Sequence, residues 1–248
     1  MKIIKNSKEK DWPQLMQRPK IETKELTELV YSIFEEVKRN GDFALKNYAK
    51  QFEKAELNSL EVSSEEFERA KELVPQELKE AIKMAKGNIE KFHAAQKMAE
   101  EMIETSPGVK CWRKSIAIEK VGLYIPGGTA PLFSTILMLG IPAQIAGCKE
   151  ITLCTPGDEN GNINPAILYT AQLLGISRIF KVGGAQAIAA MAFGTETISP
   201  VYKIFGPGNQ YVTKAKELVQ QMGIAIDMPA GPSEVLVIAD ETSFPQFI

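Results

Sequence analysis

The stretch Val121–Gly128, VGLYIPGG, divides the sequence into two parts of different composition. Its first five residues are mostly apolar, with β-branched and aromatic members, as is typical of a buried strand. Pro126, Gly127 and Gly128 then predict a tight turn, and the long apolar pattern that follows predicts a helix. The stretch therefore predicts a strand, a glycine turn and a helix, which is the repeating unit of a layered α/β fold.

The same unit repeats toward the C-terminus. Predicted strands begin near residues 121, 150, 177, 201 and 224, and a helical pattern separates each from the next. Strands joined through helices form a mostly parallel sheet that is buried on both faces. The sequence therefore predicts a Rossmann-like domain, followed by one more buried strand at Val235–Ala239. A helix is then predicted to begin at Thr242 or Ser243, and because the sequence stops soon afterwards we expect a truncated chain.

The first 120 residues have a different character. They hold 45 of the 60 charged residues and only 3 of the 18 glycines. Apolar residues at helical spacing predict a helix from Thr23 to a stop at Gly41, and Ser63 is a predicted N-cap. Another helix, opening at Pro75, carries an apolar stripe that continues to Met98. Alternation within Val109–Glu119 predicts strands, such as a hairpin, and residues 1–22 are expected to form an arm.

Composition also excludes several classes of protein. The net charge of −2 provides no basic field for nucleic acid or for an anionic membrane surface. No apolar run is long enough to cross a bilayer, and no signal-peptide pattern follows the first lysines. Three cysteines without a CxxC pair predict buried thiols in a reducing, cytoplasmic location. Because the single histidine, His93, has no neighbouring ligand cluster in the sequence, a structural role is favoured.

Candidate ligand contacts lie in four glycine-bearing turns, each at the end of a predicted strand. In open α/β sheets the ligand binds beyond the carboxyl ends of the strands, where glycine allows close approach to backbone N–H groups. None of the turns is a GxGxxG, so no single one is decisive, but each has a polar residue. These residues are Thr129, Gln186, Asn209 and Ser233. Cys148 and Cys154 are candidate nucleophiles, but because neither has a neighbouring base in the sequence, both are better explained as core residues.

Four segments together resemble histidinol dehydrogenase. They begin with VGLYIPGGTAPLFSTILMLGIPAQIAGCKEITLCTP and continue with VGGAQAIAAMAFGTE, KIFGPGNQYVTKAK and IDMPAGPSEVLVIAD. The match is specific over residues 121–240 and looser over the helices before them. The resemblance implies a cytoplasmic, homodimeric zinc enzyme of histidine biosynthesis. Such an enzyme oxidises L-histidinol through L-histidinal to L-histidine with two NAD molecules.

The resemblance also implies roles for particular residues. Tyr124, Gln186 and Asn209 match the family's NAD-contacting positions, and Ser233 matches a substrate-contacting serine. The family's zinc ligands and general base lie beyond the GPSEVLVIAD strand. None of them is therefore expected in this chain, which we expect to be inactive by itself.

The resemblance implies a domain arrangement of the aldehyde-dehydrogenase-like superfamily. Residues 1–22 would form an N-terminal arm, and residues 23–123 together with 233–248 an incomplete first α/β domain. Residues 124–232 would form the inserted NAD-binding domain. Two alternatives stay open: an NAD-dependent dehydrogenase of another polar alcohol, and a non-catalytic nucleotide-binding fragment.

Overall fold

The computed structural model describes residues 4–17, 24–127, 131–229, 235–244 and 246. Its helices are α1 (Trp12–Leu15), α2 (Lys24–Tyr48), α3 (Ser64–Leu73), α4 (Gln76–Ala94), α5 (Phe133–Ala146), α6 (Pro165–Leu173), α7 (Gly184–Phe193) and α8 (Gln210–Gln221). Its strands are β1 (Met102–Ser106), β2 (Val109–Trp112), β3 (Lys120–Tyr124), β4 (Glu150–Thr155), β5 (Arg178–Lys181), β6 (Lys203–Phe205) and β7 (Ala225–Ile226). A short 3₁₀ helix at Glu9–Asp11 precedes α1, and a π-helical turn at Ala49–Glu53 follows α2.

The centre of the fold is a five-stranded parallel sheet. The strands lie side by side in the order β5-β4-β3-β6-β7, and every neighbouring pair is parallel. The five strand positions expected from the sequence are thereby confirmed. Because the chain moves outward from β3 in one direction and then returns to β6 on its other side, the strand order reverses between β3 and β6. A reversal of this kind leaves a crevice at the carboxyl ends of the two strands.

Helices cover both faces of this sheet. One apolar cluster joins Tyr124 and Cys154 to α7, α8 and α2, and a second joins Leu123 and Ile125 to the helices of the opposite face, α3 to α6. Successive residues of β3 alternate between the clusters because side chains along a strand point to opposite faces. Helix α7 packs most deeply, and its many alanines allow its backbone to approach the sheet closely.

The charged N-terminal helices are part of this core. Helix α2 packs on α7 and α8, α3 packs on α6, and α4 packs on α5. Backbone hydrogen bonds from Val62 to Ile179 (2.9 Å) and from Lys181 to Leu60 (2.7 Å) also cover the open edge of β5. An edge strand that is covered in this way cannot pair with another chain. The division of the chain into domains remains a prediction.

The structure confirms the sequence signals that mark helix starts and a helix break in the N-terminal region. Ser63 and Glu66 form a reciprocal capping box at the start of α3. Pro75 lies at the N-cap of α4. Gly41 interrupts α2 with φ 48° and ψ −129°, a backbone conformation that other residues seldom adopt.

Several expectations from the sequence are wrong. The hairpin pairs Met102–Ser106 with Val109–Trp112, so it begins earlier than Val109–Glu119, and residues 113–118 have no regular structure. Helix α4 ends at Ala94, before Met98, which is exposed. Residues 235–239 form no strand and are exposed, because no described segment pairs with them.

The helix expected from Thr242 or Ser243 is replaced by a turn over the described residues. Asp240 accepts hydrogen bonds from the N–H and hydroxyl of Thr242 and from the hydroxyl of Ser243. A side chain that satisfies nearby donors in this way competes with helix formation. Pro245 lies outside the described residues.

The docking of α2 can be tested by deleting one ring. Phe34 is completely buried and meets the ring of Phe193 on α7 edge to face, at 5.4 Å between centroids. We expect Phe34→Ala to lower the free energy of unfolding by about 3–5 kcal/mol, measured by urea denaturation. Phe43→Ala is the matched control, because Phe43 is on the same helix and 66% exposed. Equal losses in the two variants would contradict the packing described here.

Candidate functional site

Tyr124 ends β3 at the crevice where the strand order reverses. Its side chain is buried, and its hydroxyl oxygen accepts a hydrogen bond from the backbone N–H of Gly184 at 3.0 Å. Burial raises the pKa of Tyr124 to about 12, although the hydrogen bond from the N–H of Gly184 lowers it. The phenol is therefore neutral at ordinary pH, and it fixes the first turn of α7 against the end of β3.

Glu53 reaches the same turn from the N-terminal region. Its carboxylate accepts a hydrogen bond from the backbone N–H of Gly183, and its charge contributes to the raised pKa of Tyr124. Burial raises the pKa of Glu53 to about 7. Sequence reasoning missed this residue because Glu53 lies in a charged helical segment far from any glycine turn. Only the tertiary packing of α2 on α7 brings it to the sheet edge.

Gln186 lies in the first turn of α7, close to the two glycines. Its side chain is 2% exposed, and a Cβ placed on Gly184 would lie 2.6 Å from its amide oxygen. Together, Glu53, Tyr124 and Gln186 surround the N-terminus of α7. Because two side chains already hold the amides of Gly183 and Gly184, this helix end is less open to a phosphate than a bare N-terminus.

Asn209 lies on the opposite side of the crevice, after β6. It is the N-cap of α8, and its side-chain oxygen accepts hydrogen bonds from the N–H groups of Tyr211 (3.0 Å) and Val212 (3.1 Å). This arrangement fixes the plane of the Asn209 side-chain amide and uses only its oxygen. Asn209 is exposed, and its side-chain NH₂ group donates to none of the described residues.

A buried ion pair holds the loop between β6 and α8. Lys216 donates to the carbonyl of Gly206 at 2.8 Å and pairs with Asp227, while Asp227 accepts from the N–H of Gly206 at 2.9 Å. Gly206 has φ +139°, and any Cβ there would collide with the carbonyl of Tyr124. The pair therefore holds both backbone polar groups of one residue, Gly206, where its Cα approaches the carbonyl of Tyr124.

Sequence reasoning also missed Lys216 and Asp227. Lys216 follows Val212 by four residues, on the buried stripe of α8. A lysine on an apolar stripe is a signal that could have been found, because a buried charge needs a partner. The identity of that partner, which lies after a different strand, was not predictable from the helix pattern.

The three cysteines were predicted to be buried, and the structure confirms this for only one of them. Cys154 is completely buried, as expected, and burial raises the pKa of its thiol. Cys148 is half-buried, whereas Cys111 is exposed on the hairpin, so the expectation that all three thiols are buried is wrong. Every residue of the two hairpin strands is exposed. Ser233 and Thr129 lie outside the described residues.

No metal site is formed by the part of the chain that the structure describes. Within it, no three His, Cys, Asp or Glu residues come together at ligand distance. His93 lies near the end of α4, with its Nδ1 2.9 Å from the side-chain oxygen of Gln96. The described residues therefore do not fit zinc.

No helix among the described residues has the length and apolarity that crossing a membrane requires.

Comparison with known proteins agrees with this architecture. A family model for histidinol dehydrogenase matches residues 16–248. The chain belongs to the histidinol dehydrogenase family. Histidinol dehydrogenase of Bacteroides fragilis is 59% identical over the whole chain, which covers 58% of that relative. The enzyme of Escherichia coli O157:H7 is 53% identical over 95% of this chain and 54% of its own length.

A solved structure agrees equally well. The crystal structure of histidinol dehydrogenase from Elizabethkingia anophelis superposes with a TM-score of 0.90 at 61% identity. The match covers 98% of this chain and 56% of that one. The chain therefore spans somewhat more than half the length of the family members that it matches, and the family resemblance found in the sequence is confirmed.

The raised pKa of Glu53 predicts a pH-dependent stability. Glu53 binds its proton more tightly in the folded state than in the unfolded chain. The stability that this proton binding contributes is therefore complete below about pH 4.5 and is lost as pH rises toward 7. The loss is at most about 3 kcal/mol, and smaller because solvent reaches part of the carboxyl. Glu53→Gln should flatten the unfolding free energy between pH 4.5 and 7. Glu56→Gln, at an exposed carboxylate on the neighbouring segment, is the control. An unchanged pH profile in Glu53→Gln would contradict the assignment.

The buried pair predicts a large cost for removing one partner. Lys216→Met leaves Asp227 without its counter-ion, so we expect the free energy of unfolding to fall by about 3–5 kcal/mol. Lys214→Met, which breaks an i,i+3 pair with Glu217 on the same helix, should cost less than about 1 kcal/mol. Chemical denaturation of both variants measures these losses. Equal losses of unfolding free energy in the two variants would contradict the role given to the Lys216–Asp227 pair.

Proposed function

We propose that this chain provides the dinucleotide-binding part of a histidinol dehydrogenase. The whole protein would oxidise L-histidinol through L-histidinal to L-histidine with NAD. Membership of the family supports the reaction. The observation that carries the binding role is that Tyr124, Gln186 and Asn209 all lie at the carboxyl edge of one parallel sheet, whose strand order reverses between β3 and β6.

The crevice residues have distinct tasks in this proposal. Asn209 offers a rigid amide donor, because its oxygen is already used as a helix cap. Gln186 is a buried amide in the first turn of α7, and its contact to NAD is proposed from the family resemblance. Tyr124 is a neutral phenol. Its hydroxyl holds the first turn of α7 against the end of β3, and its ring excludes water from the strand ends. The bound NAD would supply the hydride acceptor, and all other groups only orient it.

Ser233 is proposed as a contact to the substrate, on the strength of the family resemblance alone. Zinc is proposed only for the whole protein, and no step of the chemistry is derived through it, because the described residues do not fit the ion. A homodimer in the cytoplasm is likewise proposed from the family. The activity belongs to the whole protein, since the chain spans only part of its relatives.

Calorimetric titration of this chain with NAD tests the binding role. Asn209→Asp keeps the capping oxygen but replaces the amide donors by a carboxylate, so we expect NAD affinity to fall about 10-fold or more while the melting temperature changes little. Gln186→Ala should also weaken binding. Gln220→Ala, at the far end of α8, is the control. Unchanged NAD affinity in Asn209→Asp and Gln186→Ala would reject the site.

The reaction is tested separately with a protein that contains the complete family sequence. NADH formation should be seen with L-histidinol and zinc, and should stop at two NADH per histidinol. Turnover of a different polar alcohol, without turnover of histidinol, would favour another dehydrogenase. The absence of any turnover together with NAD binding would favour a nucleotide-binding protein without catalysis.

A further inference from the structure

The N-terminal region reaches the sheet edge through a rare kind of turn. Residues Ala49–Glu53 form a π-helical turn after α2, and Lys54 closes it with φ 59°, a left-handed conformation that residues other than glycine seldom adopt. The N–H groups of Lys54 and Ala55 both donate to the carbonyl of Ala49, and the two alanines are buried. Single π-helical turns are frequent at functional sites. This turn brings Glu53, its last residue, against the start of α7.

Two acceptors of different kinds hold the first turn of α7. The Glu53 carboxylate accepts a hydrogen bond from the N–H of Gly183, and a Cβ on Gly183 would lie 2.5 Å from a carboxylate oxygen of Glu53. The Tyr124 hydroxyl accepts from the N–H of Gly184 at 3.0 Å. Burial raises the pKa of Tyr124 to about 12 but raises the pKa of Glu53 only to about 7. Of the two acceptors, only Glu53 therefore changes its charge near neutral pH.

The described groups around Glu53 do not offset its charge. The side chains that the sheet, the loop after β4 and α7 place on this side are Tyr124, Cys154, Pro156 and Gln186. All four are neutral, since burial raises the pKa of the Cys154 thiol as well. On the segment of Glu53 itself, Lys50 pairs with Glu56, Lys54 is exposed, and neither lysine forms an ion pair with Glu53. The hydrogen bond from Gly183 is therefore the one described interaction that favours the ionised carboxyl.

The proposed cofactor contacts belong to the same turn. A dinucleotide bound against Tyr124 and Gln186 covers this turn and removes water from the Glu53 carboxyl. Burial is already the main cause of the raised pKa of Glu53, so further burial raises the pKa again. The negative charges of the two phosphates act in the same direction. A carboxyl whose pKa rises on binding takes up a proton when the ligand binds.

We propose that Glu53 is a positioning residue through which the chain couples NAD binding to the uptake of a proton. The proton comes from solvent, and no covalent bond of the cofactor changes. One oxygen of the protonated carboxyl still accepts from the N–H of Gly183, so the turn that carries Gln186 stays in place while the charge is removed. This inference rests on the NAD role proposed above and adds its regulation, because NAD then binds more weakly as the pH rises through 7.

Calorimetric titration of this chain with NAD between pH 6 and pH 8.5 tests the coupling. The Kd should rise about 3- to 10-fold over this range, which corresponds to a bound cofactor that raises the pKa of one carboxyl by about 0.5 to 1. Titrations at pH 7 in buffers of different ionisation enthalpy should show net proton uptake. In Glu53→Gln the Kd should stay near the acid value of the unaltered chain at every pH, and proton uptake should be absent.

A second variant separates the positioning role from the charge. Glu53→Ala removes the acceptor of the Gly183 N–H as well as the charge, whereas Glu53→Gln keeps an acceptor oxygen. We expect NAD to bind Glu53→Ala about 5-fold more weakly than Glu53→Gln at every pH, with no pH dependence in either variant. Equal affinities in the two variants would overturn the positioning role. The melting temperature of each variant is measured beside its affinity.

Two controls address other groups that titrate. Glu56→Gln removes an exposed carboxyl three residues from Glu53 and should keep the full pH dependence. A histidine can also change its charge in this pH range, so His93→Gln, at the single histidine near the end of α4, is the second control. A pH dependence that disappears in His93→Gln but persists in Glu53→Gln would overturn the assignment to Glu53.

Failure of this inference is distinguishable from failure of the proposed function. An NAD affinity that depends on Asn209 but not on pH would overturn the coupling and leave the NAD role intact. Proton release on binding, or equal proton uptake in the unaltered chain and in Glu53→Gln, would do the same. The absence of NAD binding at every pH would reject the proposed function and the coupling together.

Discussion

The contact between the end of β3 and the peptide of Gly206 determines the geometry of the whole crevice. Only glycine can bring its backbone this close to the carbonyl of Tyr124. The Lys216–Asp227 pair then fixes both the N–H and the carbonyl of Gly206. Such a pair contributes little net stability, since desolvation opposes its attraction, but it permits one arrangement of the loop.

The two capped helices depend on this arrangement. Asn209 can face the crevice only because Gly206 holds the start of the loop, and Gln186 can do so only because Tyr124 and Glu53 hold the start of α7. The N-terminal helices therefore contribute to the site as well as to the core. They bring Glu53 to the first turn of α7.

Much of the fold was predictable because its signals are local. The strand–turn–helix units after Val121, the break at Gly41 and the capping box at Ser63 all follow from neighbouring residues. The strand predicted at Val235–Ala239 was wrong because a strand needs a hydrogen-bonded neighbour, and composition alone does not provide one. Cys111 was predicted to be buried on composition alone, without regard to its place on an exposed hairpin.

The candidate site was predictable only in part. Glycine turns at strand ends pointed to Gln186 and Asn209, and the family resemblance added Tyr124. Glu53 and Lys216 matter because of the groups that packing places beside them, and no spacing in the sequence predicts those groups. The hydrogen-bond donor to Glu53, Gly183, lies more than a hundred residues away in the sequence, and the carboxylate that pairs with Lys216 follows a different strand.

Backbone amide NMR of this chain during a titration with NAD tests the central claim most directly. The account predicts that the largest shifts fall on Gly183, Gly184, Gly208 and Asn209, at the carboxyl edge of the sheet. The amides of the β1–β2 hairpin should not move. Shifts that are confined to the hairpin or to the opposite edge of the sheet would contradict the assignment of the crevice as the dinucleotide site.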